Sequence, residues 1–80
     1  MIGVNIRVYS ALNHYLNPGK GQGPNRLSIP AGITVRELIE QLNIPQTEVM
    51  IVKINGDPAT RDKIIAAGDF IELYPWLAGG

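Results

Sequence analysis

A chain of 80 residues has room for one compact core and no second, and a domain of that size buries roughly 60% of the surface its unfolded form exposes. Hydrophobic residues at 45% against 18% charged residues exclude a disordered chain, and seven basic against seven acidic residues leave no net field to draw in a phosphate backbone or an anionic lipid surface. With no cysteine, a disulfide framework, a thiolate metal site and a thiol nucleophile are excluded as well.

The opening MIGVNIRVYS has neither the basic stretch nor the continuous apolar run of a secretion signal, and no segment approaches the ~20 apolar residues of a membrane span. A soluble, cytoplasmic protein is expected, with no membrane and no nucleic acid among its partners. From Ile2 to Val8 the residues Ile2, Val4, Ile6 and Val8 alternate with Gly3, Asn5, Arg7 and Tyr9, the period of a strand with one buried face. Ser10 caps a short helical turn over ALNHYL, with Leu12, Tyr15 and Leu16 on one side and Asn17, Pro18 and Gly19 ending it. NPGKGQGPN (17–25), with three glycines and two prolines, reads as an exposed flexible loop. RLSIP resumes the alternation with Leu27 and Ile29 inward, and pairs with the first strand as a hairpin.

TVRELIEQL carries the clearest local signal. Thr34 and Glu37 form an S/T-x-x-E capping box, and Val35, Leu38, Ile39 and Leu42 follow as one apolar stripe. Pro45 prevents continuation of that helix, and VMIVKIN, rich in β-branched residues, reads as a buried third strand. Asn55 and Gly56 make a tight turn into a brief extended piece at Asp57 to Ala59. A short helical turn over RDKIIAAG, a turn at Gly68 and Asp69, and a last strand FIELY with Ile71 and Leu73 on one face complete the chain, where Pro75 closes the sheet. The order predicts an α+β domain spanning 1–80, with one helix across one face of a mixed sheet and residues 75–80 as a flexible tail.

Little in the interior suggests chemistry. GKGQG has neither the spacing of a phosphate-binding P-loop nor that of a dinucleotide fingerprint, and a lone His14 without cysteine or a second histidine builds no metal site. Glu37, Glu40, Glu48, Asp57, Asp62, Asp69 and Glu72 fall on amphipathic or turn positions and read as solvated faces and caps. The end of the chain is different. Tyr74, Pro75, Trp76 and Leu77 gather aromatic and apolar surface beside the last strand, and Ala78, Gly79 and Gly80 then shrink to no side chain, a shape that passes through a narrow channel. The six residues from Pro75 to Gly80 span roughly 20 Å if fully extended.

The glycine-aspartate turn at Gly68 and Asp69, the strand after it and LYPWLAGG resemble the closing motif of the MoaD/ThiS ubiquitin-like sulfur carriers, and ITVRELIEQL and VKING resemble the family's helix and the turn after its third strand. The resemblance covers essentially the whole chain, and the Tyr74, Pro75 pair is most similar to the small subunit of molybdopterin synthase. It implies a ubiquitin-like β-grasp fold and a carrier or co-substrate, not a free-standing enzyme. An E1-like adenylating partner would use ATP and magnesium to convert the Gly80 carboxyl into an acyl adenylate, and a sulfur donor would displace AMP to leave a thiocarboxylate. By the same resemblance Tyr74, Pro75, Trp76, Leu77, Ala78 and Gly79 contact that partner and then the large catalytic subunit of molybdopterin synthase or another sulfur acceptor. The carrier itself binds no cofactor and no metal. The molybdenum or tungsten cofactor, thiamine and cysteine are the candidate destinations for the sulfur. A protein modifier joined to lysine through Gly80, and a passive β-grasp binding module, are the readings from other classes.

Overall fold

Alternation in the first residues becomes β1 (Ile2–Val8), whose inward positions Val4, Ile6 and Val8 are buried while Asn5 and Arg7 face the other way. The computed structural model describes residues 1–9, 12, 15 and 25–76. β2 (Asn25–Ile29) lies antiparallel to β1, with Leu27 opposite Val4 and Ile29 opposite Ile2. Asn25, expected to end the glycine-rich loop, opens this strand instead, because its backbone pairs with Ile6. Leu12 is buried in the core and Tyr15 is half-buried; the cap at Ser10, Leu16, His14 and segment 16–24 lie outside the described residues.

Helix α1 (Val35–Gln41) follows, and every one of its first four amide donors has a partner. Val35 N–H donates to the Lys63 carbonyl (3.0 Å), Arg36 N–H to that of Arg61 (2.9 Å), Glu37 N–H to Thr34 Oγ1 (3.2 Å) and Leu38 N–H to the Thr34 carbonyl (3.0 Å). The Glu37 carboxylate accepts from Thr34 N–H at 2.9 Å, which completes the capping box. At the other end the helix stops before Pro45 is reached. Asn43 takes the left-handed conformation (φ 60°) and donates to Glu40, Ile44 N–H donates to the Ile39 carbonyl, and Ile44 packs in the same buried cluster as Ile39. This is a Schellman stop with asparagine in the place usually held by glycine. Replacement of Thr34 by Ala should cost about 1 kcal/mol of stability, read as a lower urea midpoint at unchanged slope.

A 3-10 turn (Gln46–Glu48) leads into β3 (Val49–Ile54), and the Asn55–Gly56 turn, with φ of 54° and 87°, leads into β4 (Asp57–Pro58). Positive φ at both central residues is the hairpin geometry that Asn-Gly favours. β3 is less buried than its composition predicts. A shift of register between Val49 and Ile51 leaves Met50 and Ile51 each 42% exposed, while Val49, Val52 and Ile54 point inward. No helical turn forms over RDKIIAAG. Its backbone is committed to α1 instead, through the carbonyls of Arg61 and Lys63, an antiparallel bridge between Thr34 and Ile64, and Ile65 N–H on the Ile33 carbonyl.

β5 (Phe70–Pro75) completes a five-stranded sheet in the order β2-β1-β5-β3-β4, parallel to β1 and antiparallel to β3. Gly68, with φ of 84°, turns the chain into it. The buried residues of the sheet, Val35, Leu38 and Ile39 of α1, and Ile65 form one hydrophobic cluster on the helix side. Among the described residues no helix lies on the opposite, open face of the sheet. Among the described residues no helix is long and apolar enough to cross a membrane, and no group of three or more His, Asp or Glu is placed to hold a metal ion.

Candidate functional site at the root of the C-terminal segment

The last strand is the central one, and this governs how the C-terminal segment is presented. β5 is held by β1 through Leu73, opposite Val8, and by β3 through Pro75, opposite Val49. Tyr9 N–H adds one more bond to the Leu73 carbonyl (3.1 Å). The expected tail begins at Pro75, but β5 runs through that residue, whose missing N–H ends the ladder. Trp76 is 61% exposed, yet its indole N–H donates to the Thr47 carbonyl at 2.6 Å. Four residues then remain in the sequence, Leu77 to Gly80, a span of at most about 14 Å.

The turn that receives Trp76 is itself fixed from the helix side. The Arg61 guanidinium donates to the carbonyls of Gln46 (3.1 Å) and Val49 (2.6 Å), and the Gln46 side-chain amide donates to the Arg36 carbonyl (2.9 Å). Tyr15 OH donates to Glu48 at 2.9 Å. A continuous set of hydrogen bonds thus runs from α1 through the 3-10 turn to the root of the segment.

On the open face, Tyr9 and Tyr74 stack with ring centroids 4.4 Å apart and planes 6° from parallel. The Arg7 guanidinium lies over Tyr9 at 5.2 Å and the Lys53 ammonium over Tyr74 at 5.5 Å. Both tyrosine hydroxyls donate to one oxygen of Glu72, at 2.5 Å from Tyr9 and 3.3 Å from Tyr74. The hydrogen bond to Glu72, reinforced by partial burial and by Tyr74, pushes the Tyr9 phenol well above its ordinary value of 10.0. The folded chain therefore keeps this proton at a pH where the unfolded chain releases it. The stabilisation is complete below about pH 10 and disappears as pH climbs toward the folded value. Above pH 10 the urea midpoint should fall more steeply for the native chain than for Tyr9→Phe, which has no proton to lose at that position.

Of the site residues expected from the sequence, Tyr74 and Pro75 are half-buried parts of β5 and Trp76 is exposed and tethered; Leu77, Ala78, Gly79 and Gly80 lie outside the described residues. Sequence reading missed Tyr9, Glu72, Arg7, Lys53, Thr47 and Arg61. The outward positions of β1 were a usable signal, since Arg7 and Tyr9 continue the alternation on the open side. Nothing local marks Arg61 or the Thr47 carbonyl. A groove of about 580 Å³ lined by Asn55, Pro58, Thr60, Lys63 and Ile64 lies at the opposite end of β3 and shares no residue with this site.

Residues 1–79 match the family model described as Mut7-C ubiquitin. The chain belongs to the Mut7-C ubiquitin family. Solved structures agree on the fold of this family member. Small archaeal modifier protein SAMP1 from Haloferax volcanii is similar at a TM-score of 0.68 and 21% identity, over 98% of this chain and 99% of that one. A protein described as molybdopterin converting factor, subunit 1, from Pyrococcus furiosus gives 0.70 and 18%, over 96% and 100%. Urm1 from Trypanosoma brucei gives 0.69 and 15%, over 98% and 95%. The α+β architecture expected from the sequence is therefore the ubiquitin-like β-grasp, and this Mut7-C ubiquitin chain shares that fold, over nearly its whole length, with the MoaD-like protein from Pyrococcus furiosus.

Proposed function

We propose that this protein is a sulfur carrier of the molybdopterin-synthase small-subunit type, a single β-grasp unit that acts through the carboxyl of Gly80. The observation that carries the reading is the rooting of the segment: the central strand β5 is paired on both sides, and Trp76 is tied to Thr47 immediately before Leu77, Ala78, Gly79 and Gly80. A reacting group at the end of such a segment is placed by the rigid body behind it, and positioning of this kind lowers barriers in the partner's site.

A carboxylate is a poor electrophile. In the proposed sequence it attacks the α-phosphorus of ATP in an adenylating enzyme, with magnesium assisting there, and pyrophosphate leaves. Hydrosulfide then attacks the acyl carbon and AMP leaves, so that one carboxyl oxygen has been replaced by sulfur; where the sulfur arrives as a donor's persulfide, the product is an acyl disulfide, and a thiol must cleave its S–S bond, leaving as the oxidised disulfide, to free the thiocarboxylate. The chain supplies the carboxyl and the docking residues Tyr74, Pro75, Trp76, Leu77, Ala78 and Gly79. The adenylating partner supplies ATP and magnesium, and an acceptor such as the large subunit of molybdopterin synthase consumes the sulfur. The chain is a co-substrate in this scheme.

Incubation with an adenylating enzyme, ATP and a sulfur source, followed by intact-mass measurement, tests the reading. The expected product is heavier by the exchange of one oxygen for one sulfur, and a chain unchanged after full ATP turnover would refute the proposal. A second reading, conjugation of Gly80 to a lysine amine, draws on the likeness to a protein named as a modifier. The two share the adenylate and part at the nucleophile, so recovery of the chain in isopeptide linkage to other proteins selects the second.

A further inference from the structure

The composition is neutral, but the open face of the sheet is not. Alternation opposite the buried positions places Arg7 on β1, Arg26 on β2 and Lys53 on β3 on that face, and Glu72 of β5 is the one strand acid with them among the described residues. Arg26 lies across Gly3, where an added Cβ would come within 3.1 Å of its guanidinium. Glu72, which accepts the hydroxyls of Tyr9 and Tyr74, offsets one of the three cations and leaves the face net positive. The ion pair found among the described residues is Arg36 with Asp62, on other elements, and Arg7 Nε is buried without a hydrogen-bond partner. Arg7 and Lys53 stand opposite Glu72 on its two sides, so their backbones are two strand spacings apart, roughly 10 Å. Ile51, partly exposed, stands opposite Tyr74 beside them.

We propose that this face is a docking surface for an acidic protein surface, with carboxylates of the partner received by Arg7 and Lys53 and an apolar side chain laid on Ile51, and that the partner is the adenylating enzyme. The last clause rests on the sulfur-carrier reading. Two observations select this occupant. Charge complementarity calls for carboxylates, since two cations are pre-positioned by the tyrosine stack, three cations share the face with one acid, and neither Arg7 nor Lys53 is in an ion pair among the described residues. The patch is also continuous with the root of the segment, because Tyr74 belongs to both, so a partner seated here holds the domain where residues 77–80 enter its active site. Single-stranded nucleic acid fits less well, since it binds by laying bases on open aromatic faces. Each tyrosine here has one face on the other ring, and the cation over it covers the second.

The test uses the full chain with an adenylating enzyme, ATP-pyrophosphate exchange for charging, and amide NMR shifts of the labelled chain for docking. Reversal at both cations (Arg7→Glu with Lys53→Glu) should raise KM for the chain roughly tenfold or more at low salt with kcat unchanged, and the difference should shrink as salt rises. Lys63→Glu, a single charge reversal by the distant groove to be compared with each of the two single reversals on the sheet, should leave KM alone, and the conservative pair Arg7→Lys with Lys53→Arg should restore it. Circular dichroism confirms folding of each variant. Unchanged KM in the folded double reversal, or shifts that spare Arg7, Tyr74 and Lys53, overturns the proposal while leaving sulfur transfer intact. Absence of exchange despite shifts on this face overturns the carrier reading and leaves the acidic partner. Shifts on this face with oligouridylate and none with the enzyme overturn the acidic partner in favour of nucleic acid.

Discussion

Removal of Gly80 should abolish charging of the protein while leaving its unfolding temperature unchanged. In the proposed scheme the two effects separate because the residue serves the chemistry. The buried cluster among the described residues is built from β1, β2, β3 and β5, α1, Leu12, Ile65 and the loop residues Ile33 and Ile44, and the last described residue with a tether is Trp76. A shortened chain ends at Gly79, whose carboxyl stops one residue, about 3.5 Å, short of the acyl carbon's place in the partner. A misplacement of that order costs far more than the roughly hundredfold loss associated with 1 Å. Intact-mass analysis should therefore find no thiocarboxylate on the shortened chain, while a thermal scan superimposes on that of the full one. The shortened chain should still compete with the native one for the adenylating enzyme, since the proposed docking residues Arg7 and Lys53 are untouched. If it is charged normally, or loses its fold, Gly80 does not have the assigned role.

Ile71→Ala should be among the most damaging single changes to stability. Ile71 is fully buried in the central strand, opposite Ile6 on one side and Ile54 on the other, so truncation opens a void lined by residues from three strands. Large-to-small changes of this kind cost about 2–5 kcal/mol. A domain of this size has about 4–12 kcal/mol in total at the usual per-residue stability. A denaturant titration should show the midpoint falling by a large fraction with little change in slope. Met50→Ala is the matched comparison. It removes an unbranched apolar side chain from the bulged, exposed part of β3 and should stay within about 0.5 kcal/mol. Equal effects from the two would contradict the assignment of Ile71 to the packed centre.

How much of this was legible in the sequence follows from the range of the interactions concerned. β1, the capping box at Thr34 and Glu37, and the Asn55–Gly56 turn are each decided within a few residues, and each was read correctly. RDKIIAAG was misread because its conformation is set by amide donors of α1 some 26 residues earlier, a demand no local pattern displays. Met50 and Ile51 looked like core for a similar reason, since the bulge that turns them outward depends on register against Pro75 and Tyr74. The Asn43 stop was legible in principle, because asparagine tolerates the left-handed conformation, but Pro45 is the more conspicuous breaker. In the site, Trp76 was singled out from the sequence, whereas its acceptor is a backbone carbonyl 29 residues away, and backbone acceptors carry no residue signature. Tyr9, Glu72 and Tyr74 converge only after a parallel pairing has joined the two ends of the chain.

That pairing bears on synthesis. Of the five strands, the one that fills the middle of the sheet is translated last, and β1 and β3 never pair with each other but are joined through it. Nascent or prematurely terminated chains lack the piece that joins the two halves, so they should remain soft and open to proteolysis. Contacts between the earliest and latest residues also make the final step slow compared with helix or hairpin formation. Presentation of the segment after Trp76 is in this way coupled to completion of the sheet: its root becomes rigid only once β1 and β3 have been translated and assembled around β5.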